Sequence, residues 1–380
     1  MIDVLMDIIP QPKSVLLALV IVFFGTKNGR KLLSILVARF IRKIIFYIPI
    51  PLRYKFIATG LQLPLSMQRK TLQTILAPTT SEKRHILRVR RESWNGDWII
   101  PYIRKHKDPY ARAEEIAQQS DVVILYFHGG GFHLGFSTEY MASFLYIIDN
   151  LKTKHGLKAV ILSVDYSLSP ENTYPKAQDD CVHAYRHLVH DLSISPSRII
   201  VAGDSSGGNL AASMLLRIRD QRSDPALAQL PPIPIPAGCA LISPLVTMTL
   251  PGKTEKYYCD YVRTWQIAYY RENYVPRYNS MEPSYCEAFM RQPFLSPLYG
   301  NFDNFCPTFV SYGGGELLEP QVLAFIDRLE HHHVPVTVVT RPKTGHIWII
   351  EPHVASCKSI WRKDLTKLVD WCANVGGELG

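Results

Sequence analysis

Cysteine is scarce and unpatterned in this chain. Seven occur among 380 residues, at Cys181, Cys239, Cys259, Cys286, Cys306, Cys357 and Cys372. The count is odd and no C-x-x-C is present, which excludes a disulfide framework and a zinc site and favours a reduced compartment. No N-x-S/T glycosylation acceptor occurs either. Internal repeats and low-complexity tracts are missing, apart from the short Pro231–Pro236 loop. Uninterrupted apolar runs are short. Val15–Phe24 is ten residues long, about half of what a helix needs to cross a bilayer.

Acidic charge is thin in the first third. Residues 1–110 hold 19 Lys+Arg against 6 Asp+Glu, whereas the remainder holds 23 against 27. The net charge of +9 is therefore N-terminal. Basic residues beside apolar segments point to an anionic membrane surface. Nucleic acid is not expected, because no binding motif accompanies the charge.

What is present is an alternation of strands and helices. Apolar, β-branched runs at Val122–Phe127, Ala159–Val164, Ile199–Ala202, Cys239–Ile242, Thr308–Tyr312 and Val336–Thr340 read as strands. Between and after them, Tyr140–Leu151, Pro175–Leu192, Asn209–Arg219, about Pro320–Glu330 and Pro352–Cys372 read as helices. The alternation is taken to start after a polar, basic stretch near Ser81–Arg91. Such a pattern predicts an α/β fold: a mostly parallel central sheet with helices on both faces. Ligands in these folds sit beyond the carboxyl ends of the strands.

Two glycine motifs lie at those ends. His128-Gly129-Gly130-Gly131 follows the first strand, and Gly203-Asp204-Ser205-Ser206-Gly207 follows the third. The second has the G-x-S-x-G pattern of a sharp strand-to-helix turn that exposes a serine hydroxyl. The first supplies backbone N–H groups suited to an oxyanion. Ester cleavage needs a nucleophile, a base, an acid that orients the base, and donors for the developing negative oxygen. Ser205 is the expected nucleophile, with Gly130, Gly131 and Ser206 as oxyanion donors. His346, on a loop after the last strand, is the expected base. Glu316 is preferred as the acid over Glu319, which is expected to open a helix. The order serine, acid, histidine is that of α/β hydrolases. The run His331-His332-His333 reads as a solvated helix end rather than a metal site, and no metal or cofactor is expected.

Two segments stand apart from the sheet. Between Thr247 and Ser296 the alternation stops and aromatics crowd in, among them Tyr257, Tyr258, Tyr261, Trp265, Tyr269, Tyr270 and Tyr274. This reads as an inserted cap at about 247–296, whose rings pack on the sheet or wall a pocket for a bulky apolar substrate. Residues 1–60 form the other. After Val15–Phe24, the stretch Lys31–Ile50 places Arg39, Arg42 and Lys43 on one helical face with apolar residues around them. That is the pattern of a helix lying in a membrane interface; the alternative is a pair of cap helices. Residues 61–380 are then the hydrolase domain.

The H-G-G-G box, the G-D-S-S-G-G-N turn and the intervening Asp165-Tyr166-Ser167-Leu168-Ser169-Pro170-Glu171 resemble the hormone-sensitive-lipase-like branch of the α/β hydrolases over about residues 120–375. That resemblance implies a Ser205, Glu316 and His346 triad. Departures exist. Ser167 and Ser169 stand where the branch has Arg and Ala, Glu316 where Asp is commoner, and Trp348 where Phe is usual. With its N-terminal extension the chain also looks like fungal steryl acetyl hydrolases and secondary-metabolite esterases. The expectation is a serine carboxylesterase that cleaves short-acyl esters of bulky apolar alcohols. The alternative is acyl transfer, lactonisation or rearrangement on the same triad. Membrane association is expected, and the likeness points to the endoplasmic reticulum. Lys27, Arg30 and Lys31 beyond the apolar run favour a cytoplasmic body instead.

Overall fold

The computed structural model describes residues 37, 40–42, 44–224, 226–250, 259–276 and 278–377. In chain order the elements are α1 (Ile50–Gly60), α2 (Leu65–Ile75), β1 (Ile86–Arg90), β2 (Asn95–Ile99), α3 (Pro109–Gln118), β3 (Val122–Phe127), α4 (Met141–His155), β4 (Ala159–Val164), α5 (Lys176–Arg186), β5 (Ile199–Asp204), α6 (Ser206–Arg219), β6 (Gly238–Ile242), α7 (Thr264–Tyr274), α8 (Pro283–Met290), β7 (Thr308–Gly314), α9 (Glu319–His331), β8 (Val336–Pro342) and α10 (Lys358–Gly377). Val15–Phe24 and, within Lys31–Ile50, residues 31–36, 38, 39 and 43 lie outside the described residues, as do Tyr257 and Tyr258. Among the described residues no helix is long and apolar enough to cross a membrane.

The eight strands form one sheet in the order β1-β2-β4-β3-β5-β6-β7-β8. Pairing from β4 through β8 is parallel, while β1 with β2 and β2 with β4 are antiparallel. Each central strand is buried on both sides, and alternation sorts its side chains between two cores. On β3, Val123, Leu125 and Phe127 join the core under α3, α5, α6 and α9. Val122, Ile124 and Tyr126 join the core under α4 and α10. This is why the strands read as continuous apolar runs rather than alternating ones.

Local chemistry fixes the helix ends. Asp108 caps α3 by accepting from the N–H groups of Tyr110 and Ala111, with Pro109 at the first position. Gly156 ends α4 in the left-handed region (φ 71°), and its N–H bonds to Lys152 O.

Two boundaries differ from the sequence reading. The stretch at Ser81–Arg91 is not merely polar and basic, since it contains β1 of an antiparallel hairpin with β2. Arg88 disguised it; its guanidinium is neutralised by Asp97 at 3.0 Å and Asp165 at 2.6 Å. The last helix begins at Lys358 rather than Pro352. Before it, Lys343 and Ile347 take positive φ, and the chain turns through residues 343–357. Carbonyls in that stretch are held from far away. Arg53 donates to His353 O at 2.9 Å and to Ala355 O at 2.7 Å.

Register brings the loops together. Phe127 pairs with Gly203, Asp204 with Ile242, Ile242 with Ser311 and Gly314 with Pro342. The loops after β3, β5, β7 and β8 therefore emerge at one edge of the sheet.

Candidate active site

Ser205 sits between β5 and α6 at φ 52°, ψ −119°. A non-glycine residue at such φ is strained and persists only where its surroundings dictate it. Here they do. The Ser205 N–H donates to Ile242 O at 2.9 Å, and its carbonyl accepts from Leu245 N at 2.9 Å and Asn209 N at 3.1 Å. The turn leaves no room beside it. A Cβ on Gly207 would lie 2.0 Å from Phe127 O, so strand and helix pass closer than any larger residue permits.

The loop after β3 lies alongside. Gly130 and Gly131 take φ of 108° and 63°. Among the described residues their N–H groups donate to no protein acceptor. The Ser206 N–H is in the first turn of α6, where a helix leaves its donors open. Phe132 N donates to Ser206 Oγ at 3.2 Å and keeps the loop against the helix. Asp204 fastens the base of the arrangement. It accepts from Gly129 N at 3.0 Å and from the hydroxyls of Tyr126 and Tyr140 at 2.9 and 2.8 Å. Burial pushes its carboxyl up to about 6, against the pull of those hydrogen bonds.

Glu316 and His346 meet at the same edge. Both are buried. Glu316 Oε2 lies 3.6 Å from His346 Nδ1, an ion-pair distance rather than a hydrogen bond. Glu316 Oε1 and His346 Nδ1 have no hydrogen-bond partner among the described residues. A few tenths of an ångström of closure would join the imidazole to its carboxylate. Burial lowers the imidazole pKa, yet Glu316, with help from Asp260 and Asp204, outweighs it, so the net direction is upward. Glu319 is the first residue of α9, whereas Glu316 is the carboxylate that faces His346.

Two residues absent from the sequence reading tie this pair together. Ser243 Oγ donates to Glu316 Oε2 at 2.7 Å and accepts from Ile347 N at 3.0 Å. Asp260 reaches in from the segment between β6 and β7. Its carboxylate accepts from Leu317 N at 2.7 Å and from His346 N at 3.4 Å. Burial raises its pKa, with His346 pulling it down and Glu316 pushing it further up. No motif marks either residue, and only tertiary proximity reveals them.

The segment between β6 and β7 also covers the glycine loop. A Cβ on Gly131 would lie 2.1 Å from the Tyr270 ring. Phe132 and Tyr274 stack with centroids 3.8 Å apart. Tyr261 meets the His346 ring edge-on at 6.0 Å. The Ser167–Glu171 stretch serves as a tether, since Arg69 of α2 binds Glu171, Ser169 O and His133 O at 2.7, 2.7 and 2.8 Å. The His331–His333 run ends α9, with His332 bonded to Asp303 at 2.7 Å. Among the described residues no group of three or more His, Cys, Asp or Glu could hold a metal ion.

Comparison with known proteins agrees with this fold. A family model described as alpha/beta hydrolase fold matches residues 124–350. An esterase from Acinetobacter venetianus is 29% identical over 229 residues, which is 59% of this chain and 67% of that protein. An acetyl-hydrolase from Streptomyces hygroscopicus is 28% identical over 235 residues, 61% of this chain and 70% of that protein. The solved structure of an esterase from the bacterial hormone-sensitive lipase family superposes with a TM-score of 0.66. Its identity is 23%, and the match covers 86% of this chain and 98% of that one.

Proposed function

The chain belongs to the α/β hydrolase family, and from that premise we propose that it is a serine carboxylic ester hydrolase working through Ser205, His346 and Glu316. One observation carries the reading. A serine held at positive φ on a strand-to-helix turn shares a sheet edge with a buried histidine that faces a buried carboxylate.

In this mechanism the Ser205 hydroxyl attacks the acyl carbon and His346 Nε2 takes its proton. The N–H groups of Gly130, Gly131 and Ser206 receive the oxygen as it becomes negative. Glu316 orients the ring and stabilises the imidazolium. Collapse expels the alcohol with the proton from His346. Water then attacks the acyl-enzyme by the same route and releases the acid.

Short acyl groups on bulky apolar alcohols are the favoured substrates. Support comes from Tyr270, whose ring lies against Gly131 and narrows the space beside the oxyanion loop. The wider wall of inserted aromatics suits an apolar alcohol. The names of the esterase and acetyl-hydrolase relatives fit the same chemistry.

The N-terminal segment is assigned to a membrane surface. Val37, Phe40, Tyr47, Leu52 and Phe56 are 47%, 62%, 87%, 59% and 54% exposed, in the part of the chain that carries the excess of positive charge.

The decisive experiment is hydrolysis of p-nitrophenyl esters from acetate to decanoate, with Ser205→Ala as control and a fluorophosphonate as active-site label. Highest kcat/KM on acetate, with activity and label both lost in the variant, is expected. Transesterified product on adding an alcohol would move the assignment to acyl transfer. Undiminished turnover in Ser205→Ala would sink it.

A further inference from the structure

A cavity of about 770 Å³ opens between α4, the start of α10 and the N-terminal segment. Its lining does not include Ser205, Glu316 or His346. Four cations reach it: Arg42, Lys152, Lys358 and Arg362. Among the described residues Asp149 is the one acidic residue in the lining. Other guanidiniums of this protein, among them Arg69, Arg88, Arg91 and Arg341, have a carboxylate beside them. Among the described residues none of the four cavity cations forms an ion pair. Like charges gathered without counter-charges repel one another, and an anion placed among them relieves that repulsion.

Much of the rest of the lining is apolar and aromatic. Phe46, Tyr102 and Trp361 contribute to it. Lys358 Nζ lies 4.7 Å above the Phe46 ring, and the His353 ring packs against Phe46 with centroids 5.2 Å apart. A small hydrophilic anion would leave these rings unused. An amphiphile with an anionic head and an apolar body uses both parts. Position selects the source. Phe46 and Arg42 belong to the same stretch as Phe40, Tyr47 and Leu52, whose exposed side chains were assigned to a membrane.

We propose that this cavity seats the headgroup of an anionic bilayer lipid, so that the enzyme docks on phosphate-bearing membranes by a lipid-selective contact. The proposal rests on the membrane assignment of the preceding subsection and adds a headgroup preference and an address to it.

The test uses the full chain in neutral, nonionic micelles. Retention of labelled phosphatidic acid is compared with that of phosphatidylcholine, with inorganic phosphate as competitor. Stronger retention of phosphatidic acid, resistant to inorganic phosphate, is expected. Each cation removed should weaken retention about fivefold, from ~1 kcal/mol per basic residue near an anionic surface. Lys358→Ala with Arg362→Ala should therefore lose about 25-fold, and Lys152→Ala alone about fivefold. All three side chains are exposed, so turnover of p-nitrophenyl acetate should be unchanged and report an intact fold. Equal retention of the two lipids, or unchanged retention in the variants, overturns the proposal. Displacement by inorganic phosphate as effective as by lipid overturns the lipid as the source. Co-sedimentation with phosphatidylcholine vesicles separates the two levels. Binding there without a phosphatidic acid preference refutes the headgroup seat alone, and no binding to any vesicle refutes the membrane assignment beneath it.

Discussion

The two halves of the candidate site are built by different means. Around Ser205 the forces are local and made of backbone. The turn is held by main-chain hydrogen bonds and by glycines that allow β5 and α6 to touch. Around His346 the forces are remote and made of side chains. Ser243 and Asp260 approach from outside the histidine loop, and Tyr54 comes from 291 residues away to accept the Gly345 N–H at 3.2 Å. A nucleophile needs one fixed, strained conformation, which a short motif encodes. A base that gives and receives a proton needs an aligned partner and a tuned charge, and those are assembled from distant parts of the chain.

The largest test of this contrast lies in the acid. Glu316→Gln should lower kcat about 10³-fold, because the ring loses its orienting charge. Glu319→Gln should leave kcat within a small factor of wild type. The reverse result, read by steady-state kinetics on the same ester, would move the acid to the helix.

Asp260→Asn should act next. A neutral amide is a weaker acceptor for Leu317 N and His346 N, at a cost of ~1–2 kcal/mol, or about tenfold in kcat if the whole loss falls on the transition state. KM should stay unchanged. The pH profile gives the more diagnostic readout. His346 is raised above its ordinary 6.5, so wild-type kcat/KM should rise with pH on a limb centred above that value. Asp260 is one of the charges that raise it, and removing that charge should move the limb to lower pH. A tenfold loss with an unmoved limb would reduce Asp260 to a packing role.

Tyr54→Phe is the smallest change. It leaves Gly345 N without its acceptor and Val354 O without the hydroxyl that binds it at 2.9 Å. The expected loss is about 1–3 kcal/mol of stability by denaturant melting, with a several-fold fall in kcat. An equal fall in stability with full kcat would show that the helix supports the loop without aligning it.

The same contrast explains what the sequence disclosed. The central parallel strands were legible because burial on both faces writes an unbroken apolar run, as in Val122–Phe127. Both glycine motifs were legible because close backbone approach tolerates no side chain. Glu316 could be preferred over Glu319 because the first stands at a strand end and the second opens α9. The β1–β2 hairpin was hidden because Arg88 and Arg90 imitate a solvated loop until Asp97 and Asp165 are placed beside Arg88. The late start of α10 was hidden for a similar reason. Its preceding turn depends on Arg53, 300 residues away from His353. Asp260 and Ser243 carry no local signature, since what they contact lies on other loops.

The grip of Arg53 and Tyr54 on the stretch after His346 has a practical reach. Arg53 is 2% exposed, and its guanidinium binds Ile48, His353 and Ala355 carbonyls together. The helix that carries it is thus a fitted part of the hydrolase body rather than a detachable leash. A chain shortened to begin beyond residue 60 would strip the supports from 353–355 and Gly345 in one cut. Such a protein should be inactive or short-lived for reasons unrelated to lipid, whereas one shortened ahead of Ile45 would keep that bolt in place.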